Sequence, residues 1–360
     1  MKADRFAAGA RLAPPAPVIR AARLFPAVLS LALFCLGAAC AAPASSSRDR
    51  LVASVEPSPA VATPMPGPAP GGQPVLDNAD EIAALKEAFA KEVRAKTEKR
   101  LRQLGASGKK PNRKMAERLA RLENPDPAYE ERVVADALRR MERSGGRFDS
   151  SQYFVYVDAA KDKQLAFLAY YDANAPAQAG SAAPGRVVLI GADLVSTGRL
   201  RPGEDSFITP TGIFENLLDN FGYRAQGTKN SKGWRGLGAK GSRVWDFGFQ
   251  QGLRQFSQGA HPSQMRLLMH ATDPDFGEPR LGARDSKGCV RVSAQFNRFL
   301  DERAVLDRHY EAFSKTNPNS WLLRPDRIPV SRPGSFMIIG DASEAPAGRE
   351  SASLPAATAE

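Results

Sequence analysis

Apolar residues in the first third of the chain recur at helical intervals. After Asn78-Ala79-Asp80-Glu81, which resembles an acidic helix start, Ile82, Leu85, Phe89 and Val93 mark one face of a helix. A second start at Asp126-Pro127 puts proline at the first helical position. Val133, Val134, Ala137, Leu138 and Met141 then form a stripe that ends at Gly145-Gly146. Both stripes read as packing faces, so residues 77–145 are expected to form a helical region that packs on the domain C-terminal to it. From Ser151 the period shortens. Runs at 153–157 and 164–170 flank a polar turn with Asp162-Lys163, the pattern of an antiparallel hairpin. Further short apolar runs at 187–190, 265–269 and 336–339, punctuated by Gly and Pro, predict a mostly β domain over residues 150–342. The Gly- and Trp-containing stretch 227–253 reads as a long loop covering a site. The expected fold class is therefore mostly β with an N-terminal α-helical region.

The ends of the chain follow other rules. Residues 1–23 carry Lys2, Arg5, Arg11, Arg20 and Arg23 against Asp4; an apolar run over 24–39 and small residues through Ala44 come next. This is the order of a secretory signal, expected over 1–44, and the run is short for a membrane span. Two exits are open: cleavage after Ala42-Pro43-Ala44, or a lipoprotein-type exit at Gly37-Ala38-Ala39-Cys40 that would make Cys40 a lipid anchor. A Pro/Ala/Ser-rich linker is expected over 45–76, because proline restricts φ and lacks an N–H donor. Residues 343–360 read as a disordered small-residue tail.

Composition narrows the classes further. With 360 residues, 42% of them hydrophobic, the chain is long enough to bury a sizeable core. Loss of 1–44, with its five basic groups and one acid, would lower the net charge from +11 to +7. Such an excess favours polyanionic surfaces such as an anionic cell wall, though a solvated basic face explains it as well. No nucleic-acid-binding module accompanies the charge, so no nucleic-acid partner is expected. Three cysteines are too few for a disulfide scaffold.

Most motif matches fail on context. Gly236-Leu237-Gly238-Ala239-Lys240-Gly241 fits a dinucleotide fingerprint, but polar residues 230–235 precede it where an apolar strand is required. The histidines are His261, His270 and His309, without an HExxH or HxH pair, and Asp273 and Asp275 near His270 read as a polar loop, so no metal or cofactor is expected. What remains is His270 with Ser286-Lys287-Gly288-Cys289-Val290-Arg291. After export, Cys289 is a solitary thiol: either a small buried hydrophobe or a nucleophile. Polar and basic neighbours are expected to favour its thiolate. His270 closes the apolar run 265–269 and stands where a base belongs, although a satisfied histidine at a sheet edge has the same signature.

In these residues the sequence resembles the L,D-transpeptidase (YkuD-type) catalytic domain of bacterial cell-wall enzymes. The resemblance rests on the strand-end His270, the spacer 271–285 and the segment Ser286 to Arg291. It extends upstream to Thr209-Pro210-Thr211-Gly212-Ile213-Phe214 and Val195-Ser196-Thr197-Gly198, and covers about 150–342. Lys287 departs from the histidine that many members carry, and Ala271 from their glycine. The resemblance implies a β-sandwich or barrel-like catalytic domain working on peptidoglycan peptide stems in the periplasm or cell envelope. Cys289 would form a thioester and expel a terminal D-residue, and His270 would move the protons. Gly288 and Ser286 would shape the oxyanion and substrate site, and Arg291 would meet a substrate carboxylate. Carbapenem-type β-lactams would acylate Cys289. An amine acceptor makes a crosslink; water would make the site a carboxypeptidase, and cleavage of existing crosslinks or a non-catalytic wall-binding module are further alternatives. The helical region 77–145 lies outside the resemblance and is free for an envelope or outer-membrane partner.

Overall fold

The computed structural model describes residues 78–106, 112–178, 185–317 and 321–343. The expected signal, the Cys40 exit, the 45–76 linker and the tail beyond Ser343 lie outside the described residues. Helix α1 (Ala79–Phe89) runs through a π-spaced turn, Ala90–Arg94, into α2 (Ala95–Ala106). Then come α3 (Arg113–Glu123) and α4 (Pro127–Glu142). Asn112 and Asp126 cap these two by accepting from Met115 N at 3.4 Å and Ala128 N at 3.1 Å. Asn78 behaves differently. Its φ is +75°, and its Nδ2 donates to Tyr153 Oη and Ser331 Oγ, both at 3.0 Å, so it pins the helix start to two distant parts of the chain instead of capping it.

From Gln152 onward the described residues are mostly β. The strands are β1 (Gln152–Asp158), β2 (Leu165–Asp172), β3 (Arg186–Ser196), β4 (Phe207–Ile208) and β5 (Gly212–Glu215). They continue with β6 (Tyr223–Arg224), β7 (Arg243–Phe256), β8 (Gly259–Ala271), β9 (Val290–Val292) and β10 (Phe336–Gly340). Two helices, α5 (Ala294–Glu302) and α6 (Arg308–Ser314), lie between β9 and β10. The strands join in the order β4-β7-β8-β9-β3-β2-β1-β10-β5, with β6 on β7, as one curled open sheet, a half-barrel. The β8–β9 and β1–β10 pairs are parallel and the others antiparallel.

The central strands are covered on both faces, which explains why 153–157 and 164–170 read as unbroken apolar runs. Tyr153, Val155 and Val157 of β1 share a core with Ile82, Leu85, Phe89 and Val93 and with Phe296, Phe299 and Leu300 of α5. Phe154 and Tyr156, one residue out of phase, share the other core with Leu101, Met115, Leu122 and the α4 stripe. Close approach needs room. A Cβ on Gly191 would meet the Phe89 ring at 2.3 Å, so glycine there lets the ring rest on β3.

One expectation is corrected. The loop read over 227–253 ends at Ser242, and from Arg243 the chain is strand β7. Gly248, with φ +76°, sits in a register shift between Asp246 and Phe249, and Gly252 lies four residues further on. These interruptions hide the alternation. The β7–β8 pair extends beyond the apolar run 265–269 through residues 259–264, which carry no long apolar side chain because that end of the hairpin is largely exposed.

Candidate active site

His270 is the penultimate residue of β8, and Cys289 immediately precedes β9. The two strands are parallel neighbours, with Met269 opposite Val290 and His270 opposite Arg291. Met269 and Val290 face the core. Strand alternation turns His270, Arg291 and Cys289, two residues before Arg291, to the other side. His270 and Cys289 are diagonal neighbours there, with backbones roughly 8 Å apart from the usual strand spacing and rise. The register row continues from Arg291 and His270 through Val244 to Tyr223 on one side and to Ser196 on the other.

The protonation of His270 follows from one contact. Its Nδ1 lies 2.7 Å from the carbonyl oxygen of Ala271. A carbonyl only accepts, so Nδ1 carries the proton and Nε2 keeps a bare lone pair. Burial lowers the imidazole pKa to about 4, and the nearby Arg291 charge adds to the effect. The ring is therefore neutral at physiological pH.

Cys289 is half-buried, with Sγ 3.9 Å from the carbonyl oxygen of Arg266. Burial pushes its pKa up, more than the Leu268 N–H and the Arg291 charge pull it down. The expectation of a thiolate is thus corrected: desolvation outweighs the basic neighbours, and the pair rests as neutral thiol and neutral imidazole.

The loop before Cys289 is tied at every residue. Ser286 Oγ donates to Cys289 O at 2.6 Å and accepts from Gly288 N at 3.0 Å. Ser286 thus staples the turn, and it occupies the Gly288 N–H proposed for an oxyanion. Among the described residues, no hydrogen bond engages the N–H of Cys289 itself, which leaves it as the backbone donor at this site. Gly288 has φ +134°, a backbone angle that residues with a side chain rarely adopt, so the turn requires glycine there. Lys287 O accepts from Phe207 N at 3.1 Å, and its ammonium pairs with Glu204 at 3.3 Å. Arg291 Nη1 donates to Asp285 O at 3.1 Å, with the Asp285 carboxylate at 3.7 Å, so Arg291 already sits in an ion-pair network.

Two contributors escaped the sequence reading. Thr209 Oγ1 accepts from Gly198 N at 2.7 Å and donates to Gly288 O at 2.6 Å, bridging the two upstream motifs to the cysteine loop. The motif that holds Thr209 was visible, but its partner was not. Asp246, inside the apolar run of β7, pairs with Arg266 at 2.7 Å on the strand that carries His270. A charged residue in such a run was the available signal.

The loop over 227–242 packs against Ala271, the residue after the histidine. A Cβ on Gly238 would meet the Ala271 Cβ at 2.8 Å. Asp273 anchors this loop by accepting from Arg235 N at 2.8 Å, and it also accepts from Asp275 N and Phe276 N. Asp273 is thus spent on backbone donors, and no cluster of three metal-ligating side chains occurs among the described residues. Trp234 stacks on Phe276 at 5.9 Å. The arrangement puts on one side of the sheet the groups that nucleophilic acyl transfer requires: a thiol, a neutral imidazole with a free nitrogen, and a backbone donor at the thiol residue. Among known proteins, no family model and no curated protein matches this chain.

Proposed function

We propose that the chain is a cysteine-dependent acyltransferase of the L,D-transpeptidase type, exported to the bacterial cell envelope, where it crosslinks peptidoglycan peptide stems. The observation that carries this reading is the neutral His270, held through Nδ1 by a backbone carbonyl on the strand beside Cys289. The ordered set of motifs from Val195 to Arg291 supports the YkuD-type fold and the substrate class. In the reaction, Cys289 Sγ attacks the carbonyl before the terminal D-residue while His270 Nε2 takes the thiol proton. The oxyanion forms against the Cys289 N–H, where one such donor contributes about 3 kcal/mol. Collapse breaks the C–N bond, His270 returns the proton to the leaving amine, and a thioester remains. An amine of a second stem then attacks the thioester. His270 accepts its proton and passes it back to the departing thiolate, so the enzyme is regenerated without a cofactor.

The test uses the purified chain with tetrapeptide-bearing muropeptides, beside Cys289→Ala, with products read by mass spectrometry. The parent releases the D-residue and forms dimers, and the variant does neither. Turnover that survives the substitution overturns the cysteine mechanism, and binding without turnover by either chain favours a wall-binding module.

A further inference from the structure

Next to the His270–Arg291 row lies a cavity of about 700 Å³, a size typical of ligand sites. Its wall carries six cations, Arg199, Arg201, Lys232, Arg280, Lys287 and Arg291, against two carboxylates, Glu204 and Asp285. Four of the guanidiniums converge on the single carboxylate of Asp285. Arg201 is at 2.9 Å, Arg280 at 3.5 Å, and Arg199 and Arg291 are at 3.7 Å. Glu204 is likewise shared, between Lys287 at 3.3 Å and Arg201 at 3.7 Å. Two carboxylates do not neutralise six cations, so the wall keeps a net positive charge that favours a further anion.

The wall is also built to present its charges. The Arg280 guanidinium lies over the Trp234 ring at 4.8 Å, and that ring is itself stacked on Phe276. Arg199 and Arg280 keep more than half of their side chains exposed, at 57% and 54%, leaving donors for an incoming ligand. Their planar forks match carboxylates with two parallel hydrogen bonds.

We infer that this cavity is a binding site for a ligand bearing two or more closely spaced carboxylates, with Arg199 and Arg280 as its principal contacts. The assignment of that ligand as the acidic part of a peptide stem held beside Cys289 rests on the proposed function; the anion site itself does not.

Calorimetric titration of the full chain with tricarballylate, acetate and inorganic pyrophosphate tests the inference. Tricarballylate is expected to bind, acetate to show no detectable heat, and pyrophosphate to bind more weakly than tricarballylate. Arg199→Gln and Arg280→Gln, both at exposed positions, each weaken tricarballylate at least tenfold, and Cys289→Ala binds it like the parent. Raising the salt from 50 to 300 mM also weakens it. No tricarballylate binding, or binding unchanged in both arginine variants, overturns the inference. Tighter binding of pyrophosphate overturns the carboxylate assignment in favour of phosphate. The two proposals fail separately. Arginine-dependent tricarballylate binding without turnover of muropeptides sinks the transpeptidase reading alone, and turnover without tricarballylate binding sinks the anion site alone.

Discussion

At the scale of single residues, the chemistry turns on two neutral groups and the hydrogen bonds that hold them. Because burial raises the Cys289 thiol, its alkylation by iodoacetamide is expected to climb about tenfold per pH unit through pH 9. A plateau near pH 6–7 would instead reveal a preformed thiolate–imidazolium pair. His270 is protonated only near pH 4, so it keeps its Nε2 lone pair in mildly acidic medium, and the acid limb of kcat/KM is expected near pH 4 rather than 6.5. His270→Gln should lower kcat by about 100-fold or more without abolishing muropeptide binding, read by steady-state kinetics and equilibrium titration. Thr209→Val removes the hydroxyl that serves both Gly198 N and Gly288 O. The cost is expected to be about 2–4 kcal/mol in urea unfolding, largely restored by Thr209→Ser. His270 and Cys289 were legible as candidates because their residue types are rare in this chain. The protonation states were not, since they depend on burial that nothing in the local sequence reports.

At the scale of elements, the helices complete the cores that the sheet leaves open. Phe89, at the end of α1, packs edge-on against Phe296 and Phe299 of α5, with ring centroids 5.6 and 5.3 Å away. Phe89→Ala should therefore cost about 3–5 kcal/mol in chemical denaturation. Where β3 meets the start of α5, Asp193 is buried and accepts from Ser293, the N-cap residue. Burial raises its pKa to about 7, against 3.8 for the free side chain. The folded state thus holds a proton that the unfolded chain has released. Stability from this group is complete below pH 3.8, falls as pH rises, and is lost above about 7, on the order of 4 kcal/mol in all. In Asp193→Asn this contribution disappears. Urea midpoints at pH 4 and pH 8 should show the parent losing stability relative to the variant as pH rises, and parallel curves would refute the assignment. The α1 and α4 stripes were readable from their 3.6-residue period. The long β7 was not, because Gly248, Gly252 and a register shift break its alternation.

At the scale of the whole molecule, residues far apart in the chain build one site. The cysteine loop of 286–289 is braced by Gly198, Phe207 and Thr209, and its histidine comes from the neighbouring strand. The two cores draw on helices before the first strand as well as on the sheet. A fragment beginning at residue 150 should accordingly expose both sheet faces to water and aggregate, which size-exclusion chromatography beside the full chain would reveal. A monomeric, two-state fragment would show that the helices are dispensable for folding.

The sequence by itself determined the periodicities, hence the helices ahead of a mostly β region. It also singled out the histidine and cysteine types that carry the proposed chemistry, because both are local properties of neighbouring residues. Only the tertiary structure decided that His270 lies on the strand parallel to the one Cys289 leads into, and that Ser286 is spent on its own turn. It alone shows four arginines meeting at Asp285. These depend on strand order and burial, and the residues concerned are brought together by packing rather than by proximity in the chain.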